Sequence, residues 1–119
     1  MNYTIMFYLS EASFQDRKDP KKRDAFWASF IPYMKAIKDA GIVIGGAGLE
    51  DPAATTTLRL NDGKRFVQDG PFADTKEQLG GFFIVDVPDL DTALDWAARY
   101  PARPGDVIEV RPNIAGPKE

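Results

Sequence analysis

Neither histidine nor cysteine occurs among the 119 residues of this chain. Without histidine the protein lacks the side chain whose ordinary pKa, about 6.5, suits proton transfer at neutral pH. Acid–base chemistry would fall to an Asp, Glu, Lys or Tyr shifted by its surroundings, and a metal site would consist of oxygen ligands alone. Without cysteine there are no disulfides, thiolate nucleophiles or Cys-based zinc sites, and the redox compartment stays open. No apolar run in the sequence approaches the roughly 20 residues of a membrane-spanning helix. Cationic excess is missing too: 15 Lys and Arg stand against 18 Asp and Glu, a net charge of −3. No strong positive field therefore draws in nucleic acid or anionic lipid. The opening MNYTIMFYLSEAS has neither the basic start nor the continuous apolar stretch of a secretory leader. These absences lead to the expectation of a cytoplasmic protein, without a cofactor, that engages neither nucleic acid nor membrane.

What the chain does contain suits one core. Hydrophobic residues make up 44% and aromatic residues 12%, and the length is that of a single domain, expected over residues 1–119. YTIMFYL at 3–9 has aromatic and β-branched residues with apolar side chains on both faces, the pattern of a strand covered on both sides. The polar SEASFQDRKDP that follows reads as a loop. From Lys21, the residues Phe26, Trp27, Phe30, Ile31, Met34 and Ile37 recur at three- and four-residue steps, the stripe of an amphipathic helix that Gly41 ends. Pro32 inside the stripe predicts a kink or a broken helix.

IVIGGAGL at 42–49 reads as a strand whose glycines mark a bulge or close backbone approach. Asp62–Gly63 between TTTLRL and RFVQ is a hairpin signal. GFFIVDV at 81–87 is a further strand. Asp89 is placed to cap a short helix carrying Leu90, Ala93, Leu94 and Ala97, which Pro101 stops. VIEVRP is the last strand, and residues 113–119 are expected to form a flexible tail. Set apart from its hairpin, the order is βαββαβ, an α+β sheet of ferredoxin-like type with both helices on one face. A sheet with helices on one side only, yet apolar on both, must bury the other, and a second copy of the chain serves that purpose.

The stretch QDGPFADTKEQLGG at 68–81 supports two readings. Structurally, Pro71 fixes a turn, Asp69 bonds amides ahead of it, Asp74 and Glu77 form a capping box, and Gly80 and Gly81 make a C-cap and a hinge. Functionally, Asp69, Asp74, Lys76 and Glu77 cluster in one loop. A half-buried carboxylate there would be poised for proton transfer, and exposed amides would hold an anion.

DGPFADTKEQLGGFFIVDVPDLDTALDWAARYP, followed by IEVRP, resembles the DGPF-domain branch of the YCII-related proteins, and the first strand and AGIVIGGAGL fit the same pattern. The resemblance implies a homodimeric, ferredoxin-like α+β barrel. It also implies a regulatory context of sigma-factor type and, in the family, a catalytic His–Asp pair in a pocket between sheet and loops. Of that pair only Asp69, in the signature itself, has a counterpart here, because the chain has no histidine.

The remaining candidates are Glu50, beside Asp51 at the end of the second strand, and Tyr8 on the first. Arg65 and Arg111 join them as strand arginines able to clamp a carboxylate or phosphate. The expectation is a homodimer that binds a small acidic or polar molecule beside the 69–77 loop through Tyr8, Glu50, Arg65, Asp74, Lys76 and Arg111. The alternative is a cofactor-independent lyase, isomerase or hydrolase, with Asp69 as acid or base and an Arg or Lys holding an anion.

Overall fold

The computed structural model describes residues 1–116. Its elements are strand β1 (Asn2–Leu9), helices α1 (Glu11–Lys18) and α2 (Arg23–Asp39), strands β2 (Val43–Gly48), β3 (Thr56–Asn61), β4 (Lys64–Asp69) and β5 (Gln78–Asp86), helix α3 (Leu90–Ala98) and strand β6 (Val107–Pro112). The fold is α+β. Four strands pair in the order β2-β5-β1-β6, with β3 and β4 forming a separate two-stranded sheet. All of the pairings are antiparallel.

Alternation along β1 sets the two faces of the sheet. Tyr3, Ile5, Phe7 and Leu9 are buried, and they share a core with Phe83, Val85 and Val87. The helices supply its other half through Phe14 on α1, Tyr33 and Ile37 on α2, and Ala93 and Ala97 on α3. Tyr100, just after α3, stacks on Phe7 with ring centroids 4.3 Å apart. Thr4, Met6 and Tyr8 point to the opposite face and are half-buried.

Three sequence expectations change, and at Pro32 the expected break does not occur. The segment read as a loop after β1 is helix α1. It contains little apolar periodicity to announce it, yet the Ser10 side chain accepts a bond from the Ser13 amide at 3.1 Å, and Glu11 and Arg17–Lys18 complement the helix dipole at its two ends. Phe14, anchored in the core, makes the difference. Helix α2 continues through Pro32 as one element, with Pro32 on its exposed side.

Residues 74–77 form no helical turn. In place of the capping box, Gln78 Nε2 donates to the carbonyls of Ala73 at 2.7 Å and Thr75 at 3.1 Å, which draws the loop around the start of β5. Gly80 and Gly81 lie inside β5. A Cβ on Gly80 would come within 2.5 Å of Leu9 Cδ1, so closeness of packing, and not a hinge, selects glycine there. The pairing with β1 slips between Phe7 and Tyr8 at this level.

The hairpin forms as its sequence predicts. Asp62 and Gly63 have φ of 50° and 76°, the paired positive values that match a tight turn to the strand twist. The DGPF segment closes the base of this hairpin. Gly70, at φ 94°, donates its amide to Thr55 O at 2.7 Å and accepts from Thr57 Oγ1 at 2.7 Å. At the far end of the chain, Asn113 is tied to β1, its amide bonding Asn2 O at 2.8 Å; residues 117–119 of the expected tail lie outside the described residues.

Candidate ligand cavity

Helix α2 carries a thick aromatic edge, and the strands beneath it are nearly bare. Phe26, Trp27, Phe30 and Met34 face the glycine-rich β2 and the Gly80–Phe83 part of β5, and a cavity of about 510 Å3 remains between them. The mismatch follows from the residue types. Gly46 and Gly48 lie on the helix side of the sheet, in register with Phe83 and Gly81, and without side chains they leave space beneath part of the helix stripe unfilled. Gly46 has to be glycine, because at φ 153° a Cβ would lie 2.5 Å from Phe82 O. Gly48 meets nothing within 4 Å, so its missing side chain is open space.

Among the described residues two cations, Arg17 and Lys38, line the cavity, and no carboxylate does. Arg17 is mostly buried, its side chain 13% exposed. It stacks 5.0 Å over the Phe14 ring and reaches Gly80 O through Nη1 at 3.4 Å. Its Nη2 lies 3.6 Å from Asp51, a carboxylate that Lys18 engages more closely. The guanidinium is thus held in place while several of its five N–H groups remain lightly used.

Tyr100 supplies the cavity's phenol. Burial first, then the Asp106 carboxylate, push its pKa up to about 12 against the pull of Arg17 and Arg103. At neutral pH it is a protonated hydroxyl. Burial also raises the pKa of the Tyr33 hydroxyl, whose oxygen has no hydrogen-bond partner among the described residues. Behind Phe26, whose ring lies 5.5 Å from the Arg103 guanidinium, Arg103 pairs with Asp16 at 2.8 Å. Asp106 ties the same region together, accepting from the Ser10 amide at 2.9 Å, Ser13 Oγ at 2.8 Å and the Arg103 amide at 2.9 Å.

The residues singled out from sequence lie in four separate places. Tyr8 and Arg111 share the sheet face away from the helices. There burial, then the Glu109 carboxylate, raise the Tyr8 hydroxyl pKa, and Arg111 opposes them. Asp74 and Lys76 line a second cavity of about 490 Å3 against α1, with Glu11, Lys18 and Asp51. Asp69 and Arg65 are exposed on β4, opposite Thr56 and Leu60. Glu50 is exposed between β2 and the short 3-10 turn Pro52–Ala54.

The aromatic cavity joins none of these residues. Its sequence signal is the pairing of a wide aromatic helix stripe with a strand reading VIGGAG, large against small. Arg17 had no such signal, because its segment carries no helical periodicity. Among the described residues no cluster of acidic residues could hold a metal ion, and no helix is long and apolar enough to cross a membrane.

Comparison with known proteins gives the family and leaves the chemistry open. The YCII-related domain matches residues 1–114. Uncharacterized protein R00369 of Rhizobium meliloti (strain 1021) is 49% identical over 97 residues, 82% of this chain and 77% of the relative. With a domain match over nearly the whole length and a relative this similar, the chain belongs to the YCII-related domain family.

Proposed function

We propose that this protein is a homodimeric small-molecule-binding or regulatory module of the DGPF type whose ligand occupies the cavity between α2 and β2. The cavity itself carries the reading. Its volume of about 510 Å3 falls among small-molecule sites, about 300–1,000 Å3, and its apolar walls with a few convergent polar groups have the usual make-up of such sites. The groove beside the 69–77 loop supports binding less well, since its charges already pair across it, Lys18 with Asp51. Turnover draws less support than binding: the acid–base alternative calls for a half-buried Asp69, and Asp69 is exposed.

The dimer half of the proposal rests on surface area. A compact 119-residue monomer would have a radius of gyration of about 13.5 Å, whereas this chain measures 16.3 Å. Its accessible surface of 8357 Å2 is roughly 2,000 Å2 above the value expected for a monomer of this size. Two such excesses match a permanent homodimer interface, about 2,000–5,000 Å2 in total. Leu58, Leu60, Phe66 and Val67 on the hairpin are at least half exposed, and the uncovered sheet face adds Met6 and Phe82. A second copy covering both would give the barrel implied by the family resemblance, and the order β2-β5-β1-β6 is the one a ferredoxin-like half-barrel would need. A role beside a sigma-factor-type regulator remains part of the proposal on the resemblance alone.

A thermal-shift screen of small carboxylates, phenols and phosphate esters tests the binding site. Ligand at about 100 times its dissociation constant adds about 2.7 kcal/mol to the folded state, a shift of several degrees. Hits in the wild type should vanish in Gly48→Val, which fills the open space, and persist in Asp69→Asn. The opposite pattern would move the site to the loop, and no hits in any variant would remove the small-molecule reading.

A further inference from the structure

Resting on the cavity assigned above, we infer that its ligand is an apolar monocarboxylate, aromatic or aliphatic, whose carboxylate meets Arg17 and whose body lies along Phe26, Trp27, Phe30 and Met34. The charge balance of the walls comes first. In a chain with more acidic than basic residues, the only side chains of fixed charge at this cavity among the described residues are Arg17 and Lys38. A cationic ligand finds no partner, and a neutral apolar one would leave the Arg17 guanidinium facing hydrocarbon without new bonds.

The two cations differ in setting. β2 returns antiparallel to α2, so Lys38, near the end of the helix, stands beside Val43. Arg17 lies against Gly80, at the Gly48 end. Lys38 is exposed and well solvated. Arg17 is largely desolvated, set over the Phe14 ring and only loosely attached to Asp51, which lies outside this cavity. A planar fork in that state suits a carboxylate better than a point charge does. Tyr100, protonated at neutral pH, stands in the same lining as a neutral hydroxyl. A phosphate dianion fits less well, because one guanidinium and one phenol leave most of its oxygens without donors among hydrophobic walls.

Length agrees as well. From Gly48 to Val43 the strand spans about 17 Å at about 3.3 Å per residue, longer than a two- or three-carbon acid and with room for a phenylalkanoate or medium-chain fatty acid. The body of such a ligand would lie directly beside Trp27, which makes binding visible in tryptophan fluorescence.

The experiment is a fluorescence and calorimetric titration of the intact protein with 4-phenylbutyrate and octanoate, their primary amides, and phenyl phosphate. The carboxylates should bind at least about tenfold tighter than the amides, the discrimination one charge-assisted bond gives. Arg17→Met, which keeps an apolar stem on Phe14, should bring the carboxylates down to the amides' affinity and leave the amides unchanged. Lys38→Ala should keep the preference. Equal binding of acid and amide by the wild type would overturn the inference while sparing the cavity as a binding site. So would a preference that survives Arg17→Met or is lost in Lys38→Ala, or tighter binding of phenyl phosphate. Binding of neither acid nor amide would overturn both readings. The wild-type comparison decides the matter even if Arg17→Met fails to fold.

Discussion

Gly46 and Gly48 lie two residues apart on one strand, on the same side of the sheet, and alanine should affect them in opposite directions. At Gly46 a new Cβ would sit 2.5 Å from Phe82 O and 2.9 Å from Phe83 Cδ1. The first contact is with backbone, in a strand paired on both sides, so relief requires shifting the β2–β5 ladder. Overpacking of this kind costs about 1–3 kcal/mol, and forcing alanine to the φ of 153° seen there adds about 1–2 kcal/mol. Gly46→Ala should therefore lose about 2–5 kcal/mol, near 4 °C of melting temperature per kcal/mol for a chain this long. At Gly48 the added methyl meets nothing within 4 Å and restricts the unfolded chain, so Gly48→Ala should be neutral or gain up to about 1 kcal/mol. Urea unfolding followed by far-UV circular dichroism, at one protein concentration because of the proposed dimer, measures both. If the two midpoints agree within about 0.5 kcal/mol with unchanged slopes, the tight approach at Gly46 and the void at Gly48 are both refuted.

Alkaline pH probes Tyr100. Its folded pKa of about 12 lies above the ordinary 10.0, so the folded state keeps a proton that the unfolded chain gives up. Stability from this group is whole below pH 10 and falls as pH rises toward 12, by about 2–3 kcal/mol in total. Tyr100→Phe should flatten the fall measured by urea unfolding between pH 9 and 11, and an unchanged slope would refute the assignment. Asp106→Ala strips the acceptor from Ser10, Ser13 and Arg103 and should cost about 2–4 kcal/mol; a loss under about 0.5 kcal/mol would show the three donors satisfied by water. Sedimentation equilibrium should find a dimer that Leu60→Glu, at a position 70% exposed in the single chain, shifts toward monomer. A wild-type monomer at micromolar concentration would remove the second copy from the proposal.

Features decided by neighbours in sequence were legible from the start. The Asp62–Gly63 turn needs only two residues that accept positive φ. The cap of α3 needs only Asp89, whose carboxylate accepts from the Thr92 amide at 2.8 Å. The strands announced themselves by β-branched and aromatic runs. Helix α1 did not, since one core residue, Phe14, and a buried Ser13 bonded to an aspartate 93 positions away hold it in place. Propensity has no access to a contact that distant. The Gly80–Gly81 pair does not reveal its role for the same reason: the sequence contains two glycines, and only the approach of Leu9 to Gly80 and of Ala47 O to Gly81 shows that they make room inside β5.

The candidate site divides along the same line. By itself the sequence determined an α+β chain of the YCII-related family without histidine, thiol or cationic surface, because composition, turn chemistry and the DGPF signature are local facts. Only the tertiary structure decided that Asp69, Tyr8 and Lys76 lie apart, and that Arg17, Trp27 and Tyr100, from three distant segments, line one cavity. A cavity exists where packing fails to fill space, and that depends on which side chains meet across the fold.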